Sequence, residues 1–346
     1  MTATPSRIVV RPPNWLGDAV MALPSLAAVR AHFRDAHLTV AAVPAVAAIF
    51  REQTDTRPDA VLDLPSASRE AIAALQGGGF DLGILWPNSW RSAWQFRRAA
   101  IKERWGYAGP ARRLLLTRGV SRSGAALHQA DYYRHLVSAL GIAGADDYAP
   151  SIVARPSSLE RADTLLASVP VQAGSPLVGF APGAAYGQAK QWFPERMAEV
   201  AARLVAGHDA TCLLLGASHD RDAGRAIESW LRANAPAAAS RVVNLIGRTS
   251  LQTLVGVISR TVTVVANDSG AMHLAAAVGR PVVAVFGPTN ERATRPIGDH
   301  HVLTASVFCR PCMLRDCPID HRCMKRISVD DVHTVVSRVL SAQGSR

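Results

Sequence analysis

Between Thr261 and Thr289 the residues arrange themselves in a way that few folds allow. Residues 262–266 form a short β-branched apolar run, which suits a strand buried on both faces of a parallel sheet. Asn267-Asp268-Ser269-Gly270 interrupts it, and Ser269 is a suitable N-cap for a helix running to about Val278. Gly279 fits the left-handed position just past that helix, and residues 281–286 read as the next strand. The result is a βαβ unit with a polar, glycine-containing turn at the carboxyl end of its first strand. Open α/β sheets bind ligands at that end. The helix start adds first-turn amides and the positive end of a dipole, a seat for an anion such as a phosphate.

The same alternation runs through the rest of the chain. Strands are expected at 8–10, 37–43, 60–64 and 81–86, with helical stretches between them. The first helix is expected over about 19–33, and Pro24 inside it predicts a kink or a late start. After a helix near 130–140, residues 141–158 are rich in Gly, Ala, Pro and Ser and mark the domain boundary. A second series follows, with strands at 177–181, 210–215 and 242–245 and helices near 194–206 and 251–259. These features predict two doubly wound, Rossmann-like lobes with a cleft between them. One lobe spans 1–155, the other 170–325, and a closing helix lies in 326–346.

Composition excludes other classes. With 346 residues, of which 49% are hydrophobic and 19% charged, the chain is long enough for two cores and is not disordered. No apolar run approaches the roughly 20 residues that span a bilayer, and the first residues lack a signal-peptide core, so a cytoplasmic protein is expected. A net charge of +11 calls for an anionic partner: nucleic acid, an acidic membrane surface or a phosphorylated substrate. Nine Arg or Lys against one acid lie between Arg91 and Arg122, interleaved with Trp90, Trp94, Phe96 and Trp105. A solvated face is the plain expectation for such a run; the lopsided sign and the tryptophans favour a patch that touches anionic lipid or a phosphorylated acceptor.

Four groups of residues carry a resemblance. They are Asn14-Trp15-Leu16-Gly17-Asp18-Ala19-Val20-Met21, Pro87-Asn88-Ser89, Ala181-Pro182-Gly183-Ala184 with Lys190 and Trp192, and Asn267 to His273 followed by Phe286-Gly287-Pro288-Thr289. Collinear from about Ile8 to Thr289, they resemble the ADP-heptose:lipopolysaccharide heptosyltransferases of glycosyltransferase family 9, in the heptosyltransferase II pattern. The resemblance implies an α/β GT-B fold with the donor in the second lobe. It also implies inverting transfer of L-glycero-D-manno-heptose from ADP-L-glycero-D-manno-heptose to a heptose on the Kdo–lipid A inner core. It further implies a peripheral, monomeric enzyme at the inner face of the cytoplasmic membrane, without nucleic acid and with no required cofactor.

The residue types suit that chemistry. Inverting transfer needs a base for the attacking hydroxyl. Asp18, at a strand-to-helix turn of the first lobe, matches the family's proposed catalytic aspartate, although Asp is also a common helix cap. Charge that grows on the departing diphosphate needs prepositioned donors. Lys190 matches the family's phosphate-contacting lysine, and the amides of Ser269 and Gly270 share that role; Gly183 lies in the donor turn. Asp268 is expected to bond a heptose hydroxyl. His273 either reaches the diphosphate or sugar or is a core histidine. Asp220, at the end of a second strand, is expected on the ribose. Asn14, Trp15, Asn88 and Ser89 are placed on the acceptor side, and no paired acids stand where a metal-dependent transferase would need them.

Four of five cysteines, Cys309, Cys312, Cys317 and Cys323, fall in one short segment with His321. Three readings stay open for them: a structural metal site, free thiols in a stiff loop, or a redox-sensitive disulfide. Two functional alternatives also stand. One is heptosyltransferase I or III, or another GT-B enzyme such as a sugar-nucleotide epimerase; the other is a non-catalytic basic module that binds nucleic acid.

Overall fold

The computed structural model describes residues 4–344 and divides between Val153 and Ala154 into two compact units. The first unit holds β1 (Arg7–Arg11), β2 (His37–Ala42), β3 (Ala60–Asp63), β4 (Leu82–Leu85), β5 (Glu103–Tyr107) and β6 (Arg118–Val120), in the order β3-β2-β1-β4-β5-β6. The second holds β7 (Leu177–Ala181), β8 (Thr211–Leu214), β9 (Val242–Asn244), β10 (Thr263–Asn267), β11 (Val282–Phe286) and β12 (His301–Thr304), in the order β12-β11-β10-β7-β8-β9. Every pairing is parallel. In each unit the first strand is central; the second and third lie to one side, and the fourth to sixth to the other. This is the doubly wound order, and it opens a crevice where the winding reverses. The two reversal points lie between β1 and β4, where Val9 faces Gly83, and between β7 and β10, where Phe180 faces Val265.

The apolar runs explain the sheets. Ile8, Val9 and Val10 are fully buried, as are Val264, Val265 and Ala266, because helices cover both faces of a parallel sheet. Each such Val or Ile contributes roughly 1.5–3 kcal/mol by leaving water.

Several expectations need correction. The first helix does not start late: it spans Leu16–His32, with Pro24 inside it. β5 and β6 were hidden inside the basic stretch, where charge masked their strand pattern, and β12 was also missed. The helix Pro156–Ala167, placed in the linker, belongs to the second unit and packs on Leu251–Arg260. Gly256 permits this crossing, since a Cβ there would lie 2.2 Å from the Ser158 carbonyl. The closing helix Val329–Gly344 is built into the second unit's core through Val332, Val336 and Leu340. It packs on the helix Pro194–His208 and on β10, β11 and β12. Residues 1–3 and 345–346, which belonged to the expected first lobe and closing helix, lie outside the described residues. Among the described residues no helix is long and apolar enough to cross a membrane.

Candidate active site

In the second unit the reversal point is drawn together by Asn267, the last residue of β10. Its side chain is fully buried; Nδ2 donates to the Pro182 carbonyl at 2.7 Å, and Oδ1 accepts from the Trp192 amide at 3.0 Å. One asparagine therefore fixes the turn after β7 and the loop that carries Lys190. Asp268 follows, 5% exposed, and its Oδ2 accepts from Lys190 Nζ at 2.6 Å and from Thr289 Oγ1 at 2.7 Å. The Lys190 ammonium also lies 4.7 Å from the centre of the Tyr186 ring. A buried ion pair of this kind costs desolvation on both sides, and its value lies in holding the ammonium in one place.

Ser269 occupies the N-cap position of the helix Gly270–Ala277, as expected, but its hydroxyl does not cap the helix. Its Oγ is buried without a hydrogen-bond partner, and the first-turn amides of an α-helix have no intrahelical acceptor. A donor-rich end beside a fixed ammonium suits a phosphate. His273, one turn further on, is 5% exposed and buried within the unit. Gly279 adopts the expected left-handed conformation, φ +80°.

Asp220 closes the other edge of this crevice, after β8. Its Oδ2 accepts from the Ala217 amide at 2.9 Å, and His219 Nε2 lies 3.4 Å from Oδ1. The carboxylate lies flush against Gly183, where a Cβ would come within 2.1 Å of Oδ1. The glycine of the donor turn and the expected ribose acid are therefore in contact. Ser250 caps the helix Leu251–Arg260 by accepting from the Thr253 amide.

The cysteine segment is tied to the loop that carries Lys190 and to the turn after β11. The Arg315 carbonyl accepts from the Ala189 amide at 2.9 Å, and the Tyr186 hydroxyl donates to the Met313 carbonyl at 2.8 Å. Arg310 donates to the carbonyls of Gly287 and Thr289 at 2.6 and 3.1 Å and pairs with Glu291 at 2.5 Å. All five cysteines are free thiols. Burial pushes the Cys323 thiol upward, and the neighbouring Cys309, Cys317 and Cys312 add to the shift. The four are thus gathered, yet among the described residues no group of three or more His, Cys, Asp or Glu side chains is arranged to hold a metal ion.

In the first unit the reversal point carries Asp18. It is the third residue of the helix Leu16–His32, not its cap; that position belongs to Trp15, which is 63% exposed. A first-turn carboxylate is favoured in its charged form by the helix dipole. Asp18 accepts a hydrogen bond from Tyr133 of the helix Gln129–Ala139, which packs on its own helix. Tyr133 is 4% exposed, and burial and then the Asp18 charge hold its hydroxyl well above the usual phenol range. It therefore remains a donor at any working pH.

The loops expected on the acceptor side rest on two buried arginines. Arg11, at the end of β1, donates to the Ala41 carbonyl at 3.1 Å and to Asn14 Oδ1 at 2.7 Å. Arg112 donates to the carbonyls of Pro87 at 2.8 Å, Ser89 at 3.3 Å and Tyr107. Burial brings each guanidinium down to about 10, so both remain charged near neutrality. Their hydrogen bonds run to neutral oxygens, which leaves two positive charges beneath these loops. Asn88 Nδ2 donates to the Tyr132 hydroxyl at 2.7 Å, while the Ser89 hydroxyl accepts from the Ser92 amide and caps the helix Trp90–Arg98. Ser89 is thereby a structural residue as well as a neighbour of Asn88. Tyr133, Arg11 and Arg112 were not legible as site residues; two adjacent tyrosines on a helix and two arginines among many carry no local signal.

The model of glycosyltransferase family 9 (heptosyltransferase) matches residues 69–322. The lipooligosaccharide heptosyltransferase 2 of Haemophilus influenzae is 28% identical over 308 residues, covering 84% of this chain and 86% of its own. Among solved structures, E. coli ADP-heptose lps heptosyltransferase II superposes with a TM-score of 0.83 at 24% identity, over 98% of this chain and 99% of that one. E. coli heptosyltransferase WaaC with ADP-2-deoxy-2-fluoro heptose gives 0.69 at 20% identity, over 96% and 99%.

Proposed function

The chain belongs to glycosyltransferase family 9, the heptosyltransferases, and from that premise we propose that it moves L-glycero-D-manno-heptose from ADP-heptose onto the heptose of the Kdo–lipid A inner core. The GT-B architecture supports this reading, with one Rossmann-type unit for each substrate. The observation that carries it is the fixing, at the reversal point of the second unit, of the Lys190 ammonium on Asp268, the residue just before the unsatisfied Ser269 hydroxyl and its helix start. The alternative of a basic nucleic-acid module is not favoured. It leaves this assembly without a task, and much of the basic stretch is spent on structure, as Arg104 and Arg112 donate to backbone carbonyls.

In the proposed reaction the Asp18 carboxylate accepts the proton of the acceptor hydroxyl as that oxygen bonds to the anomeric carbon. The bond from that carbon to the diphosphate breaks on the opposite face, so the configuration inverts. The electron pair leaves on the β-phosphate of ADP, where Lys190 and the amides of Ser269 and Gly270 meet the growing charge. Asp268 keeps Lys190 aimed, and its remaining lone pairs accept from a sugar hydroxyl. Gly183 gives the backbone close approach, and Asp220 takes the ribose. His273 supports the helix start. Asn14, Trp15 and Asn88 contact the acceptor sugars, which are drawn by the buried charges of Arg11 and Arg112. The four cysteines have no part in the chemistry; their segment steadies the Lys190 loop.

The protein works as a monomer at the inner face of the cytoplasmic membrane, where its acceptor is anchored. Release of ADP from ADP-L-glycero-D-manno-heptose in the presence of heptosyl-Kdo–lipid A tests the assignment. Turnover only on heptose-free Kdo–lipid A would reassign the chain to the first heptose transfer, and no turnover on either acceptor would end the proposal.

A further inference from the structure

The loop that bears Asn88 leads directly into the helix Trp90–Arg98. On this helix Ser92, Ala93, Gln95 and Phe96 face inward. Trp90, Trp94, Arg97 and Arg98 follow at offsets of four, seven and eight, which places them on one outward stripe. Trp90 is 50% exposed, and its ring stacks on Trp94 with centroids 6.0 Å apart. A groove of about 500 Å³ runs between this stripe and the helix Ser68–Gly77, lined by Arg69, Ile72, Ala73, Gln76, Trp94 and Arg98. On the other flank Leu114 is 78% exposed, and Arg97 fixes it there by donating to its carbonyl at 3.0 Å. Arg113 stands beside it, exposed. On this face Glu70 is the one acid of the two helices and the Arg113-Leu114 turn, against the exposed Arg69, Arg91, Arg97, Arg98 and Arg113.

An exposed tryptophan stacked on a half-buried one, with a bare leucine beside them, ringed by arginines and lacking compensating acids, fits neither bulk water nor a neutral protein partner. From this face we infer that the first unit docks on an anionic phospholipid bilayer. The tryptophan pair sits at headgroup depth, where its amphipathic rings are most stable. Leu114 enters the acyl boundary, the arginines meet lipid phosphates, and the groove between Arg69 and Arg98 holds one phosphate-bearing headgroup. Because the same helix continues the Asn88 loop, docking here sets the acceptor side at the level of a lipid-anchored saccharide. The inference rests on the proposed lipid-linked acceptor and adds to it the surface that meets the membrane.

The test is flotation of the full-length protein with vesicles of phosphatidylethanolamine and phosphatidylglycerol, compared with pure phosphatidylcholine. The wild type is expected on the anionic vesicles only, with binding that weakens as salt rises. The double variant Arg97→Gln, Arg98→Gln should bind about 25-fold more weakly at low salt, at roughly fivefold per charge. Trp90→Ala with Leu114→Ser should lose at least about tenfold at any salt. Turnover of a soluble, acyl-free core saccharide should stay at the wild-type level in both, which also shows that they fold. Equal binding to both vesicle types, or variants that float like the wild type, would overturn the docking face. If the wild type fails on the soluble acceptor and on the lipid-linked one alike, the transferase assignment fails instead, whatever the vesicles show.

Discussion

Tyr133→Phe removes the hydroxyl that donates to the proposed base and accepts from Gln129. The phenol is buried and donates to the Asp18 carboxylate, and the substitution removes the hydroxyl while leaving the ring in place. A hydrogen bond to a charged group is worth about 1.5–3 kcal/mol. Asp18 is half-buried, so water replaces part of the donor, and the loss falls at the low end of that range. The sign follows from the role: the base works ionised, a donor favours the ionised form, and its loss moves the acid limb of kcat/KM upward. Initial-rate profiles from pH 4 to 8, with ADP release as readout, should show the variant's limb moved to higher pH, with kcat/KM on that limb lower by about tenfold, while the neutral plateau falls little. The KM for ADP-heptose should hold. Superimposable profiles for Tyr133→Phe and wild type would refute the positioning role, and a fully active Asp18→Asn would refute the base itself.

Three further outcomes follow from the same geometry. Asp18→Asn should lower turnover by about two to four orders of magnitude while calorimetric ADP affinity is unchanged. Lys190→Met strands the buried Asp268 carboxylate with Thr289 and should cost about 3–5 kcal/mol in urea unfolding; adding Asp268→Asn should restore most of that stability but not ADP affinity. Gly187→Ala places a Cβ 2.5 Å from the Arg315 carbonyl, so the Lys190 loop and the cysteine segment must part. Its ADP dissociation constant should rise by about tenfold or more, whereas Gly207→Ala, with open space at its Cβ, should match the wild type.

Much of this protein is written in local signals. Short β-branched runs such as 262–266, glycines just past helix ends such as Gly279, and the polar turns after β1, β4, β7 and β10 each act over a few residues, and together they specify two doubly wound units and the loops at their reversal points. Asp18, Lys190 and Asp268 stood out at that level because each lies in such a loop. What a charged residue does there depends on partners far away in the chain. Lys190 and Asp268 are separated by 78 positions, and only the parallel placement of β7 beside β10 makes them an ion pair. Arg112 reads in sequence like the exposed Arg113 next to it, yet folding buries the first against three carbonyls and leaves the second in water. Tyr133 reaches Asp18 because two helices cross, and the closing helix joins the second unit because Val332, Val336 and Leu340 find apolar surface there. Periodicity and turn chemistry are short-range and survive in the bare sequence; the partner of a buried polar group is chosen by topology, and so emerges only when the chain is folded.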